Sequence, residues 1–100
     1  MKWPFEKCVT VSTIHIPQGE YEAIVEDVNT ESMPLYGFVD SEESTMFHIP
    51  EDMRGDIESD LSKSYPHLLE CIEWAWANDC SYIRFSCDGE LISRLPVFIW

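Results

Sequence analysis

The chain has 100 residues, 45% of them hydrophobic and 13% aromatic, and its formal net charge is −13. Because this much apolar side chain can fill a core, the composition excludes a disordered chain and predicts one domain over residues 1–100. The negative charge excludes direct binding to nucleic acid or to an anionic membrane, since both would repel the chain. We expect a basic protein surface as the partner, and no cofactor.

The first strand and helix are predicted on either side of a proline. Residues 8–16 are rich in β-branched side chains and alternate in the manner of a strand. Pro17 suits the first turn of a helix, where its missing N–H costs nothing. Behind it, Tyr21, Ile24 and Val25 form one apolar stripe, which predicts an amphipathic helix.

A hairpin and a second helix are predicted next. Residues 35–40 and 44–49 are two short β-prone runs joined by an acidic turn. After Pro50, apolar side chains recur at Met53 and Ile57 and again one turn later, the spacing of a helix.

The last third of the chain predicts a helix and another hairpin. The helix covers residues 66–79, beginning at a proline. Two β-prone runs, 81–87 and 90–93, flank Asp88-Gly89, a dipeptide typical of type I′ turns. The predicted order is therefore β-α-β-β-α-α-β-β. It indicates an α+β fold, a mostly antiparallel sheet with helices packed on one face.

No zinc spacing or leader sequence is evident. The four cysteines contain no CxxC pair, and nothing indicates secretion, so free thiols are expected. Residues 1–11 lack the apolar stretch of a secretory leader, and no apolar run reaches the roughly 18 residues that span a bilayer. These observations predict a cytoplasmic protein without a structural metal.

The acidic residues are unevenly distributed. Residues 8–53 contain ten carboxylates and no lysine or arginine. Such a segment is attracted to basic surfaces, although a high negative charge also serves solubility alone. Trp74 lies among polar residues on its helix, so it is either an exposed interface anchor or is covered by a terminal segment. The expected partner-binding residues are Glu20, Glu22, Glu26, Asp27, Glu31, Glu42, Glu43, Glu51, Asp52, Asp56, Asp60 and Trp74.

The tripeptide His-Ile-Pro occurs twice, at residues 15–17 and 48–50. Each copy stands between a predicted strand and a predicted helix. The simpler interpretation is a turn in which isoleucine packs in the core and proline starts the helix. The alternative is that His15 and His48 meet as metal ligands or as an acid and base pair. No nucleophile elbow, glycine-rich phosphate loop or HExxH motif accompanies them, and we expect no catalytic residues.

The two ends of the chain carry a pattern of four short motifs. They are Ser12-Thr13-x-His15-Ile16, Cys80-x-Tyr82-Ile83-Arg84-Phe85, Asp88-Gly89 and Leu95-Pro96-x-Phe98-x-Trp100. This pattern resembles a small family of plasmid- and phage-borne proteins known only as a domain of unknown function. The resemblance implies a mobile-element setting, in which small acidic proteins often block host defence, and it carries over no catalytic residue.

These observations favour an inhibitor of a host defence complex, of the anti-CRISPR or anti-restriction type. Its carboxylates would compete with nucleic acid for a basic surface, and it would not be an enzyme. Two alternatives stay open. One is a small metal- or thiol-dependent enzyme that uses His15, His48 and a cysteine. The other is a homodimeric adaptor in which the apolar segment at residues 96–100 pairs across a two-fold axis.

Overall fold

A computed structural model describes residues 7–33, 35, 37–41 and 44–99. Short 3-10 turns at Thr13–His15 and Glu51–Met53 precede the first and second helices. None of the helices within the described residues is long and apolar enough to cross a membrane. The elements are β1 (Cys8–Ser12), α1 (Gln18–Asn29), β2 (Gly37–Ser41), β3 (Ser44–His48), α2 (Arg54–Leu61), α3 (Pro66–Ala77) and β4 (Tyr82–Ser86).

The strands form one sheet in the order β1-β4-β3-β2. The pairs β2–β3 and β3–β4 are antiparallel, whereas β1 and β4 run parallel. The α+β class is therefore confirmed, with a mixed sheet. The parallel pair arises because α1 carries the chain from one edge of the sheet to the other, and β4 later enters between β1 and β3.

The predicted hairpin at Asp88-Gly89 is wrong. A type I′ turn needs a positive φ at both central residues, and neither Asp88 nor Gly89 has one. Both edges of β4 are already paired, so no edge of that strand remains for a fifth strand. The chain instead crosses to the free edge of β1, where Glu90 forms a parallel bridge with Val11 and its C=O accepts from the Ser12 N–H at 2.9 Å.

One face of the sheet and the helices enclose the core. The strand pairs Val11–Phe85 and Phe47–Ile83 place four fully buried side chains on this face. Trp76 of α3 is also buried, and its Nε1–H donates to the Ile49 C=O at 2.7 Å. The opposite face is partly open to solvent. Its half-buried side chains include Thr10, Met46, His48, Tyr82 and Arg84.

Gly89 passes very close to β1, which gives a prediction about stability. A Cβ at this position would lie 2.3 Å from both the C and the O atoms of Val11. We expect Gly89→Ala to lower the free energy of unfolding by about 2 kcal/mol, because backbone atoms must shift to admit it. Urea titration measures the change. In α2, a Cβ at Gly55 would meet nothing within 4 Å, so Gly55→Ala should stabilise by about 0.5–1 kcal/mol. Equal effects of the two substitutions would contradict this account.

Candidate interaction surface

The first group of predicted partner-binding residues lies on α1 and directly after it. Residues 18–31 contain five carboxylates and no lysine or arginine. Glu22 and Glu26 are one helical turn apart, and both are exposed, whereas Asp27 is half-buried. Glu31 is exposed and ends the helix in the left-handed conformation, with φ of 59°. Glycine is the usual residue at such a position. Glu31 therefore places a carboxylate at a position where the backbone conformation favours glycine.

The second group lies on α2 and the 3-10 turn before it. Asp52, Asp56 and Asp60 recur every four residues and are all exposed. We call these three residues the α2 row. Asp56 and Asp60 lie on α2, about 6 Å apart along its axis, and Asp52 lies in the 3-10 turn before it. Neighbouring like charges at this spacing destabilise a helix by roughly 0.2–0.5 kcal/mol per pair. Glu51 is also exposed beside this row.

α2 is a helix with little intrinsic stability. It has eight residues, a glycine in its second position and no side-chain hydrogen bond at its N-cap. Ile57 and Leu61 are its buried residues. On the flank, Arg54 lies 5.1 Å from the centroid of the Trp76 ring, and its Nε is 3.5 Å from a carboxylate oxygen of Glu58. The helix therefore depends on tertiary contacts for its stability, because repulsion between the exposed carboxylates of the α2 row destabilises it.

The exposed side of α3 adds Glu70 and Glu73 to the acidic surface near α2. The pKa of Glu73 is raised from its usual range, first by partial burial and then by a hydrogen bond and charge repulsion from Glu58. The Arg54 guanidinium opposes the shift by lowering this pKa. The sequence analysis missed this contact because Glu58 and Glu73 lie on different helices.

Glu73 gives a pH prediction. Its raised pKa means that the folded protein binds this proton more tightly than the unfolded chain does. The stabilising contribution is therefore complete below the usual value of 4.5 and is lost as pH rises through the folded pKa. We expect Glu73→Gln to flatten this decline and to stabilise the protein near pH 7 by less than about 1 kcal/mol, because solvent screens an exposed carboxylate. Urea titrations between pH 4 and pH 7 measure it, and a decline as steep in Glu73→Gln as in the parent would contradict this account.

Glu20 has a structural role that the sequence analysis did not anticipate. Its side chain is 11% exposed, and one oxygen accepts from the backbone N–H groups of His67 and Leu68 at 3.0 and 2.9 Å. The other oxygen accepts from the His67 Nδ1–H at 2.9 Å. This carboxylate of α1 thus caps the N-terminus of α3, where it also complements the helix dipole. Glu20 is committed to the fold rather than exposed with the other acids.

The remaining predicted residues have mixed outcomes. Trp74 is half-buried and packs against the core, so it is neither a fully exposed anchor nor a fully covered side chain. Glu42 and Glu43 lie outside the described residues. The predicted residues that are exposed lie in two places: Glu22, Glu26 and Glu31 on or just after α1, and Glu51, Asp52, Asp56 and Asp60 on α2 and the turn before it.

The two His-Ile-Pro histidines do not meet. His15 follows the Ser12 end of β1, whereas His48 lies level with Cys8 and Tyr82 at the opposite end of the sheet. That separation is roughly 13 Å along the strands alone. Among residues 7–33, 35, 37–41 and 44–99, no three His, Cys, Asp or Glu side chains are grouped to hold a metal ion.

His15 is buried and links the turn after β1 to the segment after β4. Its side chain is fully buried, and Nε2 accepts the Ile92 N–H at 2.9 Å. The ring hydrogen is therefore on Nδ1, which donates to the Pro96 C=O at 2.7 Å. His48 instead stacks on Tyr82, with ring centroids 4.7 Å apart. The turn interpretation of the tripeptide is supported, and the first copy also fixes the segment after β4.

The thiols are not activated at three of the four cysteines. Burial raises the pKa of Cys71 to about 12, with further contributions from the charges of Glu70 and Glu20. Burial also raises the pKa of Cys8 and of Cys80. A thiol that stays protonated at neutral pH is a poor nucleophile. Cys71 and Cys80 are buried, whereas Cys8 and Cys87 are exposed.

Comparison with known proteins yields one family and no individual relative. The model of the family of unknown function DUF5983, C-terminal domain, matches residues 8–100. No curated protein and no solved structure matches the chain. The predicted resemblance to an uncharacterised family is thereby confirmed, whereas the plasmid and phage setting stays a prediction. The chain belongs to the family of unknown function DUF5983, of which it carries the C-terminal domain.

Proposed function

We propose that this protein is a non-enzymatic inhibitor that binds a basic, nucleic-acid-binding surface of a host defence complex, of the anti-CRISPR or anti-restriction type. The observation that carries the proposal is the α2 row, in which Asp52, Asp56 and Asp60 are exposed on α2 and on the turn before it. A linear array of anionic groups attracts the lysine and arginine side chains that otherwise bind a phosphate backbone. Competition with DNA or RNA is the resulting mode of action.

The carboxylates of the α2 row do not stabilise the fold. The repulsion between its carboxylates opposes helix formation, and the buried side chains of this helix are Ile57 and Leu61. Residues 51–77 contain seven carboxylates against Arg54 and Lys63, so this region carries a formal charge of −5 with histidine neutral. Arg54 is engaged by Glu58 and Trp76. The row itself is therefore left with little compensation and is available to a cationic partner.

Electrostatic recognition of this kind has two measurable properties. Association is fast at low salt, because opposite fields steer the two proteins together. Binding also weakens as salt rises, since exposed charges are screened beyond about 8 Å at physiological ionic strength. A partner that binds through apolar contacts alone would show neither property.

The proposal can be tested by affinity capture from host lysate with the immobilised protein at about 50 mM and about 500 mM salt. We expect a nucleic-acid-binding protein to be captured at low salt and released at high salt, and labelled DNA or RNA to displace it. The triple variant Asp52→Asn, Asp56→Asn, Asp60→Asn should weaken binding about tenfold, the sum of three exposed pairs.

A matched control removes the same charge elsewhere. Asp79, Asp88 and Glu90 are exposed and lie outside the helices, so Asp79→Asn, Asp88→Asn, Glu90→Gln should leave capture nearly unchanged. Equal weakening by the two triple variants would show that net charge alone matters and would overturn the assignment to the α2 row. Failure to capture any nucleic-acid-binding protein at low salt would overturn the proposed function.

A further inference from the structure

The peptide bond between Asp88 and Gly89 is open to a chemical change of its own. It is the single place in the sequence where an aspartate or asparagine is followed by glycine. In such a pair the side-chain carboxyl carbon and the next backbone nitrogen can close a five-membered ring, because glycine has no Cβ to obstruct the approach. Asp88 is exposed in the turn after β4, so water reaches its carboxyl group.

The reaction needs no reagent besides water. The Gly89 nitrogen forms a bond to Cγ of Asp88, and the hydrogen of this nitrogen leaves with the carboxyl OH as a water molecule. Water then adds to the cyclic imide and breaks one of its two bonds to the nitrogen. Breakage at Cγ restores aspartate. Breakage at the α-carbonyl carbon gives isoaspartate, whose main chain runs through Cβ and Cγ and is longer by one carbon atom.

The folded turn restrains the atoms that must meet. The Gly89 N–H donates to the Ser86 C=O at 3.0 Å, and the Asp88 N–H donates to Ser86 Oγ at 3.3 Å. On the other side, a Cβ at Gly89 would lie 2.3 Å from the C and O atoms of Val11, so the backbone of Gly89 packs directly against β1. Ring closure turns the Gly89 nitrogen toward Cγ, which requires these contacts to break.

The residues that follow Gly89 keep the turn in place. The Glu90 C=O accepts the Ser12 N–H at 2.9 Å, and the Ile92 N–H donates to Nε2 of the buried His15 at 2.9 Å. The turn is therefore free to react when the segment after β4 leaves β1. Local opening of this kind needs less free energy than global unfolding, and β4 itself stays paired on both edges.

We propose that Asp88 is a site of spontaneous conversion to isoaspartate, that local opening of the segment after β4 permits the reaction, and that the product keeps this segment detached from β1. The detachment has a steric cause. Isoaspartate adds a main-chain carbon immediately before Gly89, where even a single Cβ has no room. The free carboxylate is retained, so the modification changes the backbone and leaves the net charge of the chain as it was.

Incubation of the full chain at physiological pH and temperature tests the site. Trypsin releases residues 85–94, which lie between the cleavage positions at Arg84 and Arg94, and chromatography separates the aspartate and isoaspartate forms of this peptide. We expect isoaspartate to form on the order of tenfold more slowly in the folded chain than in the same chain unfolded in urea, because the folded turn must open first. Asp88→Glu keeps the charge and should give no isomer, since its ring would need six members and closes far more slowly.

Two variants separate local opening from global unfolding. His15→Phe loosens the segment after β4 and should raise the rate of isoaspartate formation in the folded chain by roughly threefold or more. Ile57→Ala leaves a cavity beneath α2 and should keep the parent rate, because it weakens the fold without touching this segment. Equal acceleration by the two variants would overturn the role of local opening, since global unfolding would then expose the turn.

The isolated isoaspartate form tests the structural consequence. Amide exchange at Ser12 and Ile92 should be on the order of tenfold faster than in the parent, whereas exchange in β4 should be retained. Unchanged exchange at both residues would overturn the detachment, because the longer main chain would then fit beside β1. Equal rates of formation in the folded and the urea-unfolded chain, or no isoaspartate in either, would overturn the proposed site.

Discussion

Replacing Glu20 with alanine is expected to lower the free energy of unfolding by about 3 kcal/mol. The carboxylate accepts three N–H groups, two from the backbone at the start of α3 and one from the His67 ring. Its removal leaves the backbone donors of His67 and Leu68 without their acceptor in a partly buried position, and hydrogen bonds to charged groups contribute about 1.5–3 kcal/mol. Urea titration followed by circular dichroism measures the loss.

Two variants separate this cap from a general effect of charge. Glu22→Ala removes an exposed carboxylate from the same helix and should change the free energy of unfolding by less than about 0.5 kcal/mol. Glu20→Gln keeps an oxygen acceptor and should lose about half as much as the alanine variant. If Glu20→Ala and Glu22→Ala had the same effect, the cap would not contribute to stability.

His15→Phe is expected to lower the free energy of unfolding by about 3 kcal/mol. Phenylalanine fills much of the space of the imidazole but offers no hydrogen bond, so the Ile92 N–H and the Pro96 C=O both lose their partner. Each unsatisfied buried group costs about 1–3 kcal/mol. Because both groups belong to the segment that follows β4, amide hydrogen exchange should quicken at Ile92 and Phe98 more than in the central strand β4.

The second histidine supplies the control. His48 is half-buried and stacks on Tyr82 at the open face of the sheet, so His48→Phe should preserve the stack and change stability by less than about 1 kcal/mol. Similar losses for the two histidine variants would contradict the linking role of His15. Unchanged amide exchange at Ile92 and Phe98 in His15→Phe would contradict it as well.

Local patterns predicted most of the elements. Proline at 17, 50 and 66 and the apolar spacing behind each predicted the three helices, because a helix start depends on neighbouring residues. The alternation of residues 8–12 and 82–86 likewise predicted strands. The predicted hairpin at Asp88-Gly89 was wrong because the residue that follows it, Glu90, pairs with β1, which is distant in sequence. A dipeptide propensity describes the turn in isolation, whereas here the two paired edges of β4 decide where the chain goes next.

In the candidate surface, too, local features could be predicted from the sequence and long-range contacts could not. The exposure of Asp56 and Asp60 follows from helical spacing alone. The burial of Glu20 does not, since its partners lie 47 and 48 residues away at the start of another helix. The contact between Glu58 and Glu73 likewise depends on how α2 and α3 pack. No signal in a single sequence identifies these pairs, because identical carboxylates stand on every helix.

The late arrival of β4 has a consequence for synthesis of the protein. The first strand gains its central neighbour only when residues 82–86 have been made, so the chain from β1 through β4 must leave the ribosome before the sheet can close. Pairing over such a span is slow, because the intervening chain must be ordered first. Nascent fragments that stop short of Tyr82 should therefore remain open to proteases, whatever the helical content of their sequence.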